Sequence, residues 1–437
     1  MKSSVWHPNT QMNEWNSFDK ITKAKGMWLV DSKGHKMIDA VASMWCNVWG
    51  HSNPQLVKTI TNQSKKLQHS SMFNITNEPA EQLAVNLVQI SPGMHKVFYS
   101  DNGSSAMEIA IKIALQYWKN IGEKKTEIAT VENGYHGDTF GAMSVGYVPQ
   151  FFCKFKKQLF QTTQFPVPNK YRLPKGYTVL DYQNECLEKI EKKFSKNNKI
   201  AAFVMESGAQ MAGGVIIYPK GFQRKISQLC KKYNVLFVLD EIATGFGRLG
   251  SMIQYQEQKS TPDIVAYGKM LTGGYLTMAA TLANKKVYDS FSGEFNDWKH
   301  LFHGHTYTGN PIAASVANEN IKMYKKNNLI KKIQKTSEVF EEWHDEIFEI
   351  DIVGDIRHKG MLMGIELVTD RKKKTPIHPK KSINKIFYET GKKNGIYLRT
   401  LGNIVMLVPP LAISEKELNS LLKRTIKTIK DAKSKVI

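Results

Sequence analysis

Val235-Leu236-Phe237-Val238-Leu239 is an unbroken apolar run that ends in Asp240-Glu241. Further on, Ile264-Val265-Ala266-Tyr267 repeats the pattern and ends in Gly268-Lys269. A short run with no polar face fits a strand covered on both sides, as in a parallel sheet sandwiched by helices. Working outward, Lys96 to Ser100 and Ala201 to Met205 read the same way. From about Gly50 to Ala283 such runs alternate with helical patterns, the signature of an α/β sheet. Ser104 to Trp118 predicts one of those helices. Its residues Ala106, Ile109, Ala110, Ile113, Ala114 and Tyr117 recur every three or four positions.

After about Pro311 the alternation fades. The expected division is an N-terminal segment, 1–45, joining a smaller domain formed by 311–437, with a large domain over 46–310. Glu415 to Ala432 predicts a helix in the smaller part, with Ser414 and Glu417 as a capping box. Its lysines fit a solvated outer face.

The chain has 437 residues, of which 41% are apolar, 23% charged and 10% aromatic. That is ordinary for a globular protein. The net charge of +22 is not. It admits a nucleic-acid-binding reading, but the lysines are scattered rather than gathered into one stripe, and no aromatic-rich basic cluster accompanies them. Four cysteines without a Cys-x-x-Cys pair indicate neither a zinc site nor a disulfide framework. Met1 to Asn16 has no apolar core of a signal peptide, and no stretch reaches the roughly 18 apolar residues of a membrane span. The expectation is a cytoplasmic protein with small-molecule substrates, no bound metal, no nucleic acid and no membrane.

In an open parallel sheet, ligands bind beyond the carboxyl ends of the strands. There lie Asp101-Asn102-Gly103-Ser104, Glu206, Asp240-Glu241 and Gly268-Lys269. Gly103 and Ser104 open a helix, where free N–H groups suit an anion. Equally, Asp101 or Ser104 could be an ordinary cap. Asp240 after its apolar run also resembles the Mg²⁺-binding strand of a nucleotide hydrolase, but no phosphate-loop motif accompanies it. Gly245-Phe246-Gly247-Arg248-Leu249-Gly250 stands too far from the strand for a dinucleotide site and reads as a glycine-rich turn. His303-Gly304-His305 lacks further ligands at metal spacing and reads as a loop. Lys269, between apolar segments and close to Gly273-Gly274, is either a snorkelling lysine or a desolvated amine able to form a Schiff base.

Together the residues resemble a known family. Ser100 to Ser104, Asn133-Gly134-Tyr135-His136-Gly137-Asp138-Thr139, Leu239 to Arg248 and Gly268 to Gly274 resemble class III aminotransferases, which are fold-type-I pyridoxal-phosphate enzymes. The resemblance runs from Trp6 to about Ser414. Trp6-His7-Pro8, Asp138 to Gly146 and His303-Gly304-His305-Thr306 point to the branch acting on 8-amino-7-oxononanoate in biotin biosynthesis. That branch's usual donor is S-adenosylmethionine, with lysine as a rival. Other class III ω-aminotransferases, acting on ornithine, 4-aminobutyrate or a diamine, are the alternative.

The resemblance implies roles. Lys269 would hold the cofactor and shuttle a proton. Asp240 would pair with the ring nitrogen, Gly103 and Ser104 with the phosphate, and Tyr135 would stack on the ring beside His136. Trp45, Tyr135, Lys269, Gly304 and Arg399 would meet substrate. Thr306 would reach the phosphate in the other subunit, which implies a homodimer with shared sites. Asn9, Met44, Ser207 and Met406 depart from residues common in the best-known members.

Overall fold

The computed structural model describes residues 3–378 and 381–437; Met1 and Lys2, the head of the segment Met1 to Asn16, lie outside the described residues. Seven strands build the central sheet: β1 Met94–Ser100, β2 Glu127–Val131, β3 Thr163–Phe165, β4 Ile200–Glu206, β5 Leu236–Asp240, β6 Ile264–Tyr267 and β7 Ala279–Asn284. Their spatial order is β1-β7-β6-β5-β4-β2-β3. Strands β3, β2, β4, β5 and β6 pair in parallel, while β7 runs antiparallel to both its neighbours. Strands β1, β4, β5 and β6 are those expected from the sequence, β6 with the expected ends and the others with ends displaced by a residue or two. Every residue of β4 and β5 is buried, which explains why both read as unbroken apolar runs.

Register does the functional work. Asp240 pairs with Glu206 on one side and Ala266 on the other. Two carboxylates therefore finish level at neighbouring strand ends, and β6 exits beside them through Gly268 to Lys269.

The helix after β1 spans Gly103–Asn120 and buries Ala106, Ile109, Ala110, Ile113, Ala114 and Tyr117. Its cap is neither Asp101 nor Ser104. Asn102, in extended conformation, accepts the Ser105 N–H on its side chain at 3.0 Å. The preceding Gly103 and Ser104 N–H groups have no acceptor among the described residues.

Two further sheets flank this core. Ile21–Lys25, Trp28–Asp31 and Lys36–Asp39 form an antiparallel ribbon that Ile396–Tyr397 extends in parallel. Val353–Lys359, Leu362–Asp370, Ile404–Leu407 and Arg399–Leu401 form an antiparallel sheet. Helix Pro311–Lys326 packs on helices Pro54–Lys66 and Glu78–Ile90. The final helix, Glu415–Val436, carries the expected capping box and buries Leu418, Leu421, Leu422, Ile426 and Ile429. Each such side chain contributes about 1.5–3 kcal/mol by leaving water. Among the described residues no helix is long and apolar enough to cross a membrane.

Candidate active site

A cavity of about 640 Å³ opens over the carboxyl ends of β4, β5 and β6. Lys269 lines it from a short 3₁₀ turn, with φ +43. Positive φ is uncommon for a residue with a Cβ and needs support. The support comes from Asn320, whose amide donates to the Met270 and Leu271 carbonyls at 2.8 and 3.0 Å. The Lys269 amine itself makes no hydrogen bond or ion pair among the described residues. It lies 5.0 Å from the centre of the Trp45 ring. Burial pulls its pKa below that of an ordinary lysine, against the opposing pull of Asp240 and Glu206.

Asp240 is buried and fixed at both oxygens. One accepts the Ile242 N–H at 2.9 Å, and the other meets His136 Nδ1 at 2.9 Å. Against an ionised carboxylate, a neutral His136 carries its proton on Nδ1. Its Nε2 is buried without a partner among the described residues. Glu206 accepts the Tyr135 and Met211 N–H groups at 3.2 and 2.9 Å. Burial pushes its pKa up to about 7, although His136 opposes the shift.

The helix start closes the cavity on another side. Ser104 Oγ lies 2.8 Å from Thr139 Oγ1 and accepts the Thr139 N–H at 3.1 Å. This close approach explains Gly137: its φ is +122, and a Cβ there would come within 2.3 Å of Ser104 Oγ.

Of the residues singled out in the sequence, Trp45, Gly103, Ser104, Tyr135, His136, Asp240 and Lys269 line this one cavity. Tyr135 stacks its ring on Phe152 and donates its hydroxyl to Asp138 at 3.2 Å. Arg399 does not line the cavity; its guanidinium donates to the Met44 sulfur at 3.6 Å, and Met44 does line it. Gly304 and Thr306 stand apart on an exposed loop, where the Thr306 carbonyl accepts from His69 Nε2 at 2.8 Å.

Sequence reasoning gave no role to Cys46, Thr139 or Ile242, which line the cavity together with Glu206, a strand-end residue the sequence had placed where ligands bind. The position of Thr139 within the Gly134–Thr139 motif was a usable signal. Cys46 had none beyond adjacency to Trp45. Arg248, inside the glycine-rich turn, is fully buried and donates to the Met361 and Pro409 carbonyls at 2.9 and 2.7 Å. Among the described residues no His, Cys, Asp and Glu cluster could hold a metal ion.

Residues 10–429 match the family Aminotransferase class-III. The adenosylmethionine-8-amino-7-oxononanoate aminotransferase of Staphylococcus aureus is 41% identical, over 98% of this chain and 97% of its own. The crystal structure of the enzyme of that name from Methanocaldococcus jannaschii superposes with a TM-score of 0.92 at 39% identity, over 98% of this chain and 97% of that one. An omega transaminase from Pseudomonas jessenii, in complex with PMP, superposes with a TM-score of 0.94 at 28% identity, over 99% and 97%.

Class III aminotransferases use pyridoxal phosphate. The cavity suits such a group. It offers a partnerless amine to an aldehyde, a buried carboxylate to a basic ring nitrogen, and two free N–H groups to a phosphate. Over nearly its whole length, and in the chemistry of its cavity, this chain belongs to the class III aminotransferases.

Proposed function

We propose that the protein transfers an amino group to the ketone of 8-amino-7-oxononanoate, forming 7,8-diaminononanoate for biotin synthesis. The observation that carries this reading is Lys269, a desolvated amine without a partner beside the Asp240–His136 pair. Bound pyridoxal phosphate would supply an electron sink for the substrate carbon. Lys269 would hold the cofactor through its amine and would move the proton at the substrate carbon. Asp240, steadied by His136, would pair with the ring nitrogen. The Gly103 and Ser104 N–H groups would hold the phosphate, and Tyr135 would lie against the ring. Trp45 walls the substrate side.

Arg399 receives the substrate carboxylate as a bidentate fork. In support, its guanidinium has no ion pair among the described residues and borders the cavity through Met44. Gly304 and Thr306 serve the cavity of a second copy, which makes the protein a homodimer with shared sites. Their exposure away from this chain's own cavity supports that assignment. The proposal extends to a cytoplasmic location and to the division into 1–45, 46–310 and 311–437. The pairing of Ile396–Tyr397 with Lys36–Asp39 supports joining the N-terminal segment to the C-terminal part.

The proposed donor is S-adenosylmethionine, as in the relatives' name, with lysine as the rival. A second reading, an ω-aminotransferase of another amine, draws support from the Pseudomonas jessenii likeness and from Met406, which pairs directly with Arg399. A spectral titration of the purified holoenzyme tests both. Bleaching of the visible cofactor band by S-adenosylmethionine or lysine, and its return with 8-amino-7-oxononanoate, is expected. Bleaching by 4-aminobutyrate alone would favour the second reading, and absence of the band would end both.

A further inference from the structure

The part of the cavity wall that touches both Lys269 and Arg399 is a turn in an unusual conformation. Ala42, Ser43 and Trp45 all have positive φ, at +48, +61 and +63, and none is glycine. Ser43, with ψ −76, occupies the conformation of the rare and strained γ-turn. The turn sets two side chains in the cavity lining. The Met44 sulfur accepts from the Arg399 guanidinium at 3.6 Å, and the Trp45 ring centre lies 5.0 Å from the Lys269 amine.

Strain of this kind persists only where the surroundings impose it. Here Asp39 imposes it. Asp39 ends strand Lys36–Asp39 and is fully buried. Its Oδ1 accepts the Val41 N–H at 3.0 Å, and its Oδ2 accepts the Ser43 N–H at 2.8 Å. His51 Nε2 stands 3.0 Å from the same Oδ2, and the His51 and Gly26 backbones exchange hydrogen bonds of 2.7 and 3.0 Å. The backbone on either side of the turn reaches the two functional ends. Asp39 pairs with Tyr397, just before Arg399, and the Ala40 N–H donates to the Tyr397 carbonyl at 2.9 Å. Past the turn, the Val48 N–H donates to the Gly273 carbonyl at 3.3 Å, and the Tyr275 hydroxyl donates to the Gly50 carbonyl at 3.0 Å. Segment 39–50 therefore joins the strand of Arg399 to the loop that follows Lys269, with the strained turn in its middle.

We propose that Asp39 is a positioning residue for substrate: by bracing the Ala42–Trp45 turn it fixes the span between the Lys269 amine and the Arg399 guanidinium. This deepens the proposed function and rests on its reading of those two residues. A relaxed turn moves Met44 and Trp45 off their places beside Arg399 and Lys269. Asp240 and His136 are held by each other and by the Ile242 N–H, not by segment 39–50, so they keep their geometry. The loss therefore falls on substrate binding rather than on the cofactor.

The test is steady-state kinetics of the holoenzyme with 8-amino-7-oxononanoate. In Asp39→Asn one oxygen still serves Val41, while the amide turns an N–H toward the Ser43 N–H and the brace is lost. KM should rise about tenfold with kcat within about threefold of wild type, and the visible cofactor band and borohydride trapping should persist. Adding Ser43→Gly, which takes φ +61 without a Cβ, should bring KM most of the way back. Ser43→Val decides the matter if Asp39→Asn does not fold. Position 43 is exposed, so the new side chain meets little packing, yet a β-branched residue resists positive φ and should also raise KM. An unchanged KM in the folded variants would overturn the brace. So would a fall in kcat with KM unchanged, or a rise in KM that Ser43→Gly leaves untouched. Wild-type protein that binds no cofactor, or does not convert 8-amino-7-oxononanoate, would end the functional reading and the brace with it. An active wild type with indifferent variants ends the brace alone.

Discussion

Two groups of buried charge in this molecule are built on opposite principles. In the C-terminal antiparallel sheet, Glu366 is buried and meets Arg172 with one oxygen and Arg357 with the other, the latter at 2.8 Å. Arg357 also binds Asp355 at 2.6 Å and donates to the Val215 carbonyl at 2.8 Å. The cluster spans the loop at Gly214-Val215, the turn at Lys170–Arg172 and two strands. At the carboxyl ends of β4, β5 and β6 the accounting differs. Among the described residues Lys269 has no partner and His136 Nε2 is an orphan, and Glu206 is pushed toward neutrality by burial. Charge whose bonding capacity is filled works as a clamp. Charge left with capacity, in a cavity, is available for chemistry.

The contrast breaks first, if it is wrong, at its most reactive member. Lys269→Ala should lower transamination by about 10³-fold or more and abolish borohydride trapping of the cofactor. Unfolding free energy of the cofactor-free protein should move by less than about 1 kcal/mol, because the amine holds nothing. Full activity in this variant would remove the foundation of the proposed mechanism. Arg357→Leu probes the other side. Removing Arg357 leaves Glu366 with Arg172 alone and strands the half-buried Asp355, and the expected loss is about 2–3 kcal/mol in urea unfolding. A loss below about 1 kcal/mol would mean that the cluster is not a clamp.

The sequence made one of these groups legible and hid the other, for a physical reason. Asp240 and Lys269 follow runs that are apolar because β5 and β6 are buried on both faces, so the strands announced themselves and their ends could be searched. Ser104 to Trp118 was equally plain from its period. The Arg172–Glu366–Arg357 cluster draws on residues almost 200 positions apart, and no local pattern reports such a pairing. The same limit applied to the helix cap. Asp101, Asn102 and Ser104 are all competent cap residues, and only the extended backbone of Asn102 decides among them. Strand β7 was not expected because Ala279 to Asn284, small and mixed in polarity, reads weakly until its neighbours are known. Gly304, Thr306 and Arg399 could be named only through family resemblance, since nothing in this chain brings them to the cavity lining.

Glu206 sharpens the comparison through pH. A buried carboxyl raised to about 7 holds its proton in the folded state where the unfolded chain, near 4.5, has released it. The folded state thus binds more protons across that window, so stability falls as pH rises from about 4.5 to about 7. The fall amounts to about 3 kcal/mol for a shift of this size. Glu241, also fully buried and raised to about 7, adds a fall of the same sign. In Glu206→Gln the loss of stability between pH 5 and pH 7.5 should shrink to roughly half in urea titrations of cofactor-free protein. An unchanged slope would show that the carboxyl is already charged below that window, and that the strand end is as well compensated as the clamp.

The smallest effect lies between the two regimes. Ser207 follows Glu206 and belongs to a filled network that also reaches the Glu241 carboxyl. Gln223 Nε2 donates to Ser207 Oγ at 3.0 Å and to Ser260 Oγ at 2.8 Å, while Gln223 Oε1 accepts the Gly208 N–H at 2.8 Å. Ser207→Ala removes one acceptor of the Gln223 amide and the hydroxyl beside Glu241, but leaves the amide bonded to Ser260. The cost should therefore be about 1 kcal/mol of stability. The Ser207 N–H, which donates to the Asp240 carbonyl at 2.9 Å, survives the substitution. The backbone that aims the Asp240 carboxyl is then undisturbed, and kcat/KM should remain within about twofold of wild type. A large loss of kcat/KM with unchanged stability would place Ser207 among the residues whose capacity the reaction uses, and would move the border between clamp and site one residue along β4.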